Sequence, residues 1–207
     1  MDLTIIGTGN MARGIATRAL AGGHSVTLLG TGTAKAQALA DELSGDVRAG
    51  QVGDPLAGEV VVLALWYPAV DDVLGRYGDQ LDGKVLVDIT NPIDVDAFEP
   101  LELEAGSAAQ EIAAKAPGAR VVKAFNTTFA GTLGEGQVAG QPLDVLIASD
   151  SEDAKEIVSR IVTDGGLRPI DAGRLTRARE IEALGYLHMA IQQPLGTGFS
   201  TTVKVLS

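Results

Sequence analysis

The chain has 207 residues, 45% of them hydrophobic, so it can bury one core of ordinary size and is too apolar to be disordered. Its net charge of −11 argues against nucleic-acid binding, which needs a basic surface, and we attribute the charge to solubility. With no cysteine and only two histidines, the composition excludes disulfides and thiolate metal sites and disfavours a zinc site. Without a membrane-length apolar run or a signal peptide, we expect a cytoplasmic protein with no membrane partner.

The first predicted elements are a strand, a glycine turn and a helix. The apolar run Leu3–Ile6 predicts a buried parallel strand, Met11–Ala21 a helix and Ser25–Leu29 a second strand. The G-x-G-x-x-A turn between the first strand and the helix consists of Gly7, Thr8, Gly9, Asn10, Met11 and Ala12. Its first glycine permits a tight turn, its second lets the backbone approach a pyrophosphate, and the helix start stabilises the phosphates. In this context the turn predicts a dinucleotide site.

Strands and helices continue to alternate along the chain. Further strands are predicted near Val47 and at Glu59–Leu65, Lys84–Ile89, Arg120–Ala124, Leu143–Ala148 and Leu167–Ile170. Further helices are predicted at Ala34–Leu43, Pro68–Leu81, Ser107–Lys115, Ser151–Thr163 and Leu175–Gln192, and Asp150 with Ser151 offers an N-cap for the fourth of these. The glycine-rich stretch Gly131–Gly136 is interpreted as a loop.

Continuous β-branched runs are typical of strands covered on both faces. We therefore predict an α/β fold, with a Rossmann-type, doubly wound and mostly parallel sheet and a small C-terminal α/β extension. The whole chain, 1–207, is predicted to be a single domain. Residues 1–139 would form its dinucleotide-binding core, and residues 140–207 an extension that contributes to the acceptor pocket.

The end of the second strand bears on the choice of nucleotide. In NAD-binding folds an acidic residue about 20 residues after the glycines binds the ribose 2′-hydroxyl. This chain has no carboxylate there; the sequence reads Gly30, Thr31, Gly32, Thr33, Ala34, Lys35. Threonine hydroxyls, backbone amides and the Lys35 ammonium can hold a 2′-phosphate, although Lys35 is equally consistent with a solvated helix residue. We predict NADP as the cofactor.

Three later loops are predicted to line the pocket, because ligands of a doubly wound sheet bind beyond the carboxyl ends of its strands. These loops contain Trp66, Asn91 with Pro92, and Asn126. Their amides can orient a nicotinamide carboxamide, and their aromatic surface can cover a ring. Two plain alternatives are that Trp66 caps the core and that Asn91 and Pro92 only form a turn. His188 is interpreted as a structural histidine of the last helix.

The sequence contains no familiar catalytic proton donor. It has no Ser-His-Asp set, no G-x-S-x-G elbow and no Tyr-x-x-x-Lys pair, which disfavours alcohol or carbonyl chemistry. Hydride transfer between two coenzymes needs no protein acid at the key step, because the rings only have to be stacked at near-attack distance.

Five motifs, spread over nearly the whole chain, resemble those of the F420H2:NADP+ oxidoreductases, a family of NADPH-dependent oxidoreductases of coenzyme F420. The motifs are Ile6–Gly14, Ala21–His24, Asp88–Pro92, Val122–Thr127 and Gly166–Gly173. The resemblance implies hydride exchange between NADP(H) and a deazaflavin, with NADP at the glycine turn and the deazaflavin over the nicotinamide.

The resemblance also implies a cofactor-binding role for particular residues. The pyrophosphate would be held by Thr8, Gly9, Asn10 and Met11, and Gly7 is counted among the cofactor-binding residues. The 2′-phosphate would be faced by Gly30, Thr31 and Lys35. The nicotinamide would be bordered by Trp66, Asn91, Asn126 and Ala130. Ala64 and Pro92 are also predicted to bind the cofactor. No catalytic side chain and no metal ligand are predicted.

Several functional alternatives stay open. Ala124–Thr127 is also similar to the cytoplasmic domain of membrane ferric reductases, so FMN or FAD is an alternative acceptor. Imine reduction would predict a longer helical C-terminal domain, and a non-catalytic redox sensor would bind NADP without turnover. The apolar last helix suits a homodimer as well as burial within the monomer. The loop Gln193–Ser200 either closes over the acceptor ring or lies at the surface.

Overall fold

The computed structural model describes residues 1–206. Its strands are β1 Asp2–Ile6, β2 Ser25–Gly30, β3 Val47–Gln51, β4 Val60–Leu63, β5 Val85–Asp88, β6 Ile93–Asp94, β7 Glu99–Pro100, β8 Arg120–Lys123, β9 Gln137–Val138, β10 Gln141–Pro142, β11 Asp144–Ser149 and β12 Arg168–Gly173. Its α-helices are α1 Asn10–Ala21, α2 Thr33–Asp41, α3 Val70–Tyr77, α4 Ala108–Lys115, α5 Ala130–Glu135, α6 Glu152–Asp164, α7 Ala178–Ala190 and α8 Gln192–Leu195.

Eight strands form one sheet in the order β12-β11-β8-β5-β4-β1-β2-β3. The strands from β8 to β3 in this order are parallel; β11 is antiparallel to β8, and β12 is parallel to β11. The strands β6 with β7 and β9 with β10 form two short antiparallel hairpins. The fold is therefore the predicted Rossmann-type, mostly parallel α/β sheet, and its strand order reverses between β1 and β4, where such sheets bind ligands.

Both faces of the sheet are packed, which explains the continuous apolar strands. Successive residues of β1 point to opposite faces, so Ile5 belongs to one hydrophobic cluster and Ile6 to the other. The Ile5 cluster contains apolar residues of α1, α2, α5 and α6, and the Ile6 cluster contains residues of α3, α4 and α7. The carboxyl ends of β1, β2, β4, β5 and β8 consequently lie at one edge between two helical layers.

The stretch Gly131–Gly136, predicted as a loop, is the helix α5 followed by a left-handed Gly136. The loop prediction was wrong because the glycines lower helix propensity locally, whereas Leu133 is fully buried against the core and stabilises the turn. The helix α3 is shorter than predicted, with 3-10 turns at Tyr67–Ala69 and Gly78–Leu81. Ser151 caps α6 as predicted, its side chain accepting from the Ala154 amide.

In the C-terminal extension β11 pairs with β8 and β12 pairs with β11, so both strands belong to the same sheet as the N-terminal core. This continuity supports one domain over the chain, which stays a prediction. No helix within residues 1–206 has the length and apolar character needed to cross a membrane.

Candidate functional site

The turn after β1 leaves an open, uncapped helix start. Gly7 has φ +126°, and a Cβ there would lie 2.1 Å from the carbonyl oxygen of Ala64, so only glycine fits. A Cβ at Gly9 would meet no atom within 4 Å. Gly9 is the N-cap of α1, no side chain caps the helix, and its first turn has no acidic residue. The first amides of α1 are thus available to an anion.

The turn after β2 lies directly against the first turn. A Cβ at Gly30 would be 3.0 Å from Cγ2 of Thr8, so this glycine allows close contact. Gly32 is the N-cap of α2, again with no capping side chain and no acidic residue in the first turn. Thr31 and Lys35 are exposed beside it. Two uncapped helix starts therefore lie next to each other, a suitable arrangement for a pyrophosphate and a 2′-phosphate.

The aromatic side chain after β4 faces solvent. Trp66 is 68% exposed, so the alternative that it caps the core is wrong. Next to it, the Tyr67 hydroxyl donates to Oε2 of Glu111. Burial is the main cause that raises the pKa of Tyr67, and this hydrogen bond raises it further. Tyr67 is therefore protonated and holds the start of the Tyr67–Ala69 turn against α4. The Trp66 indole is left free to cover a ligand ring.

The asparagines after β5 and β8 hydrogen-bond to each other. Asn91 Nδ2 donates to the Asn126 carbonyl oxygen at 3.0 Å, and Asn126 Nδ2 donates to Asn91 Oδ1 at 2.8 Å. Asn126 Nδ2 also donates to the carbonyl oxygen of Ile181 on α7 at 3.1 Å. Asn126 Oδ1 and the neighbouring Thr90 Oγ1 are buried without a hydrogen-bond partner in the described chain. Asn91 therefore does more than form a turn, because its side chain also hydrogen-bonds to a second predicted site residue, Asn126.

The backbone near the asparagines is unusual in two places. Phe125, immediately before Asn126, is buried and has φ +63°, a left-handed conformation uncommon for a bulky residue. On α7, a Cβ at Gly185 would lie 2.7 Å from Asn91 Oδ1 and 3.0 Å from Asn126 Nδ2. The helix therefore approaches the asparagine pair at a distance that only glycine permits.

Sequence reasoning missed a buried set of three charges behind this pair. The Lys123 ammonium lies 2.8 Å from Oδ2 of Asp88 and 2.8 Å from Oε1 of Glu182, and the lysine and aspartate side chains are wholly buried. Glu182 also accepts from the amides of Ala108 and Ala109, the first residues of α4. Burial raises the pKa of Glu182, and the Lys123 charge counteracts this effect. We call Asp88, Lys123 and Glu182 the buried triad.

The C-terminal segment is anchored at two points. His188 Nδ1 lies 3.1 Å from the Thr127 carbonyl oxygen, and its Nε2 lies 2.8 Å from Oγ1 of Thr201. The ring stacks on Phe129 at 4.2 Å, and burial lowers the His188 pKa, so the imidazole is neutral and its role structural. Further on, Lys204 donates to the buried Asp144 carboxylate at 2.8 Å.

The structure brings the predicted residues together in two groups. One holds Gly7, Thr8, Gly9, Asn10, Gly30, Thr31, Lys35 and Ala64 around the β1, β2 and β4 ends. The other holds Asn91, Pro92 and Asn126; Asn91 and Pro92 line a pocket of about 180 Å³ that Glu182 also borders. Met11 is half-buried and packs against the core. Ala130 starts α5, where a Cβ added at Gly14 of α1 would lie 3.1 Å from its carbonyl oxygen.

Comparison with known proteins places these features in a family context. A family model described as NADP oxidoreductase, coenzyme F420-dependent, matches residues 2–92. The F420-dependent NADP reductase of Methanothermobacter thermautotrophicus is 34% identical over 202 residues, covering 89% of this chain and 86% of the relative. A solved structure from Arthrobacter sp. FB24, provisionally named an F420-dependent NADP reductase, superposes with a TM-score of 0.85 at 28% identity and covers 99% of each chain.

A second kind of relative is longer than this chain. The metalloreductase STEAP3 of Rattus norvegicus is 34% identical over 181 residues, which cover 87% of this chain and 35% of the relative. The chain thus spans about a third of that protein's length. Within residues 1–206 no group of three or more acidic or histidine side chains is arranged to hold a metal ion.

Proposed function

The chain belongs to the family of F420-dependent NADP reductases and is an NADP oxidoreductase, and from this premise we propose that it transfers a hydride directly between NADP(H) and coenzyme F420. The observation that carries the proposal is the pair of uncapped glycine turns after β1 and β2, in contact and without a carboxylate in either first helical turn. Such turns suit a nucleotide that carries both a pyrophosphate and a 2′-phosphate.

The residues of the chain bind and orient the coenzyme. We assign the pyrophosphate to the amides that follow Gly9 and the 2′-phosphate to the region of Thr31 and Lys35, and we assign the nicotinamide to the side of Asn91 and Asn126. When bound, the reduced nicotinamide would supply the hydride that the deazaflavin ring accepts, and solvent would supply the proton that completes the reduction. The exposed Trp66 indole would cover the stacked rings and exclude water. No side chain has to act as an acid, since orientation at near-attack distance provides the main acceleration.

The direct test mixes the protein with NADPH and, in separate stopped-flow experiments, with F420, FMN and FAD. We expect the absorbance of the reduced nicotinamide to fall fastest with F420. Tight NADPH binding without transfer to any acceptor would contradict the proposal and favour a redox sensor.

A flavin acceptor is the second candidate. The observation that favours it is the similarity of Ala124–Thr127 to the cytoplasmic domain of membrane ferric reductases, a resemblance that implies a flavin acceptor. The 34% identity over 181 residues to the metalloreductase STEAP3 of Rattus norvegicus agrees with that resemblance. Faster transfer to FMN or FAD than to F420 would establish this candidate. Either way we propose that the partners are small-molecule coenzymes in the cytoplasm and, given the net charge of −11, that nucleic acid is not bound.

We further propose a homodimer formed through the last helices. Leu187, Ile191 and Leu195, spaced four residues apart, are 56%, 39% and 59% exposed, an apolar surface that a second copy would cover. Light scattering after size exclusion should show a dimer that Leu187→Glu dissociates. The exposed Val95→Glu is the control, and a monomeric wild-type protein would refute the proposal.

A further inference from the structure

The buried triad lies directly behind the asparagine pair. Asp88 ends β5, three residues before Asn91, and Lys123 ends β8, three residues before Asn126. Asp88 Oδ1 accepts from the Thr90 amide at 2.8 Å, and the Lys123 ammonium donates to the Thr90 carbonyl oxygen. The triad thus fixes the amide and the carbonyl of Thr90, which lie in the two successive peptide units before Asn91.

The third member of the triad fixes the helix that contacts both asparagines. Glu182 on α7 follows Ile181, whose carbonyl oxygen accepts from Asn126, and precedes Gly185 by one helical turn. Its bond to Lys123 therefore holds α7 at the close distance that Gly185 permits. Loss of this bond would release the helix from the asparagine pair.

A buried charge cluster is not an economical way to stabilise a core. Desolvating three charges costs free energy that their attraction offsets only partly, and apolar side chains of similar volume often stabilise a protein as well. What charged hydrogen bonds provide in addition is fixed geometry, because each bond has a defined length and direction. The asparagines are the site residues whose geometry these bonds determine.

We propose that Asp88, Lys123 and Glu182 are positioning residues, which hold Asn91 and Asn126 in the orientation that fixes the nicotinamide ring for hydride transfer. This inference rests on the proposed assignment of the nicotinamide to the asparagines. It assigns no reacting role to the triad, whose members act through the backbone of Thr90 and through α7.

The chain contains a matched control cluster. Lys155 on α6 lies 3.0 Å from Oε1 of Glu152 and 2.9 Å from Oδ2 of Asp171, again one lysine between two carboxylates. Here the carboxylates are exposed, 78% for Glu152 and 62% for Asp171, and neither contacts the asparagines. Glu182→Gln and Glu152→Gln thus remove the same charge from a lysine in two different settings.

Two probes report separately on the binding of the phosphates and of the nicotinamide ring. Binding of 2′,5′-ADP, which lacks the nicotinamide, reports the phosphate-binding turns, and the emission of bound NADPH reports how firmly the reduced nicotinamide is held. In Glu182→Gln we expect the affinity for 2′,5′-ADP to stay within about twofold of the wild-type value. We expect the emission of bound NADPH to shift towards that of free NADPH, and hydride transfer at saturating NADPH to slow by about tenfold. Glu152→Gln should leave all three unchanged.

Each outcome decides a separate claim. Unchanged NADPH emission in a folded Glu182→Gln protein overturns the positioning role and leaves the proposed reaction standing. If Glu182→Gln does not fold, Asp88→Asn makes the equivalent test on another triad member. A wild-type protein that binds NADPH but reduces no acceptor refutes the proposed reaction, while the emission comparison still decides the positioning role. Equal loss of 2′,5′-ADP and NADPH binding would indicate a purely structural triad, and a wild-type protein that binds no NADPH refutes both claims.

Discussion

The two ends of the candidate site are built by different means. The phosphate end, formed by the turns at Gly7–Met11 and Gly30–Lys35, consists of backbone amides and glycines within single turns of chain. The ring end, formed by Asn91 and Asn126, depends on side chains of β5, β8 and α7 and on the first backbone amides of α4, which are far apart in sequence. We therefore expect nucleotide binding at the phosphate end to be sensitive to side chains added at its glycines. At the ring end we expect the orientation of the asparagines to be sensitive to the removal of charges that are distant in sequence.

The largest expected effect is at the ring end. Lys123→Met leaves two carboxylates buried without their cation, and we expect a loss of about 3–5 kcal/mol in the free energy of unfolding. Lys155→Met, whose carboxylate partners are exposed, should cost much less. Urea denaturation of the two variants measures the difference, and equal losses would show that burial of the triad has no energetic consequence.

The next largest effect distinguishes the two glycines at the phosphate end. Gly7→Ala would place a Cβ 2.1 Å from the Ala64 carbonyl oxygen at φ +126°, so we expect it to destabilise the protein by about 1–3 kcal/mol and to abolish NADPH binding. Gly9→Ala meets nothing within 4 Å and has an ordinary φ of −83°, so stability should persist while NADPH binding weakens. Thermal unfolding and NADPH titration distinguish them; undiminished binding in Gly9→Ala would refute the pyrophosphate assignment.

A smaller effect concerns nucleotide choice. Thr31→Asp adds a negative charge where we place the 2′-phosphate, so NADPH affinity should fall by about tenfold or more while NADH affinity is kept or improved. Ala38→Asp adds the same charge to the exposed surface of α2, outside the turn, and should change neither. Equal losses for both nucleotides in Thr31→Asp would mean that this turn does not contact the 2′ position.

The smallest effect on stability is expected at Trp66. Because the side chain is 68% exposed, Trp66→Ala should change the free energy of unfolding by no more than about 0.5 kcal/mol. Hydride transfer should nevertheless slow, since the indole would cover the stacked rings. Denaturation and stopped-flow traces on one sample test both statements, and an unchanged transfer rate would remove Trp66 from the site.

The same contrast explains what could be predicted from the sequence. Gly7 and Gly9 shape the backbone of their own turn, so the spacing of the motif and the predicted strand and helix around it were enough to predict that turn. The absence of a carboxylate after β2 was likewise a local observation. Asn91 and Asn126 were predicted as site residues, but their hydrogen bonds to each other depend on the adjacency of β5 and β8, which no local pattern contains.

The triad shows where a signal existed but its partner could not be found. A lysine at the end of the apolar strand β8 indicates that a buried charge needs a counterion. Nothing near Lys123 in sequence identifies Glu182, because their contact joins a strand to a helix 59 positions later. The helix α5 was missed for a related reason, since its stability comes from burial of Leu133 in the tertiary structure and not from local propensity.

The complete burial of the Lys123 side chain has a practical consequence. An amine shielded from solvent and held by two carboxylates cannot react with an acylating reagent while the native packing persists. Its rate of labelling, followed by peptide mass spectrometry, would therefore report local opening between β8 and α7. If NADPH slows this labelling relative to that of the exposed Lys115, the coenzyme suppresses that opening.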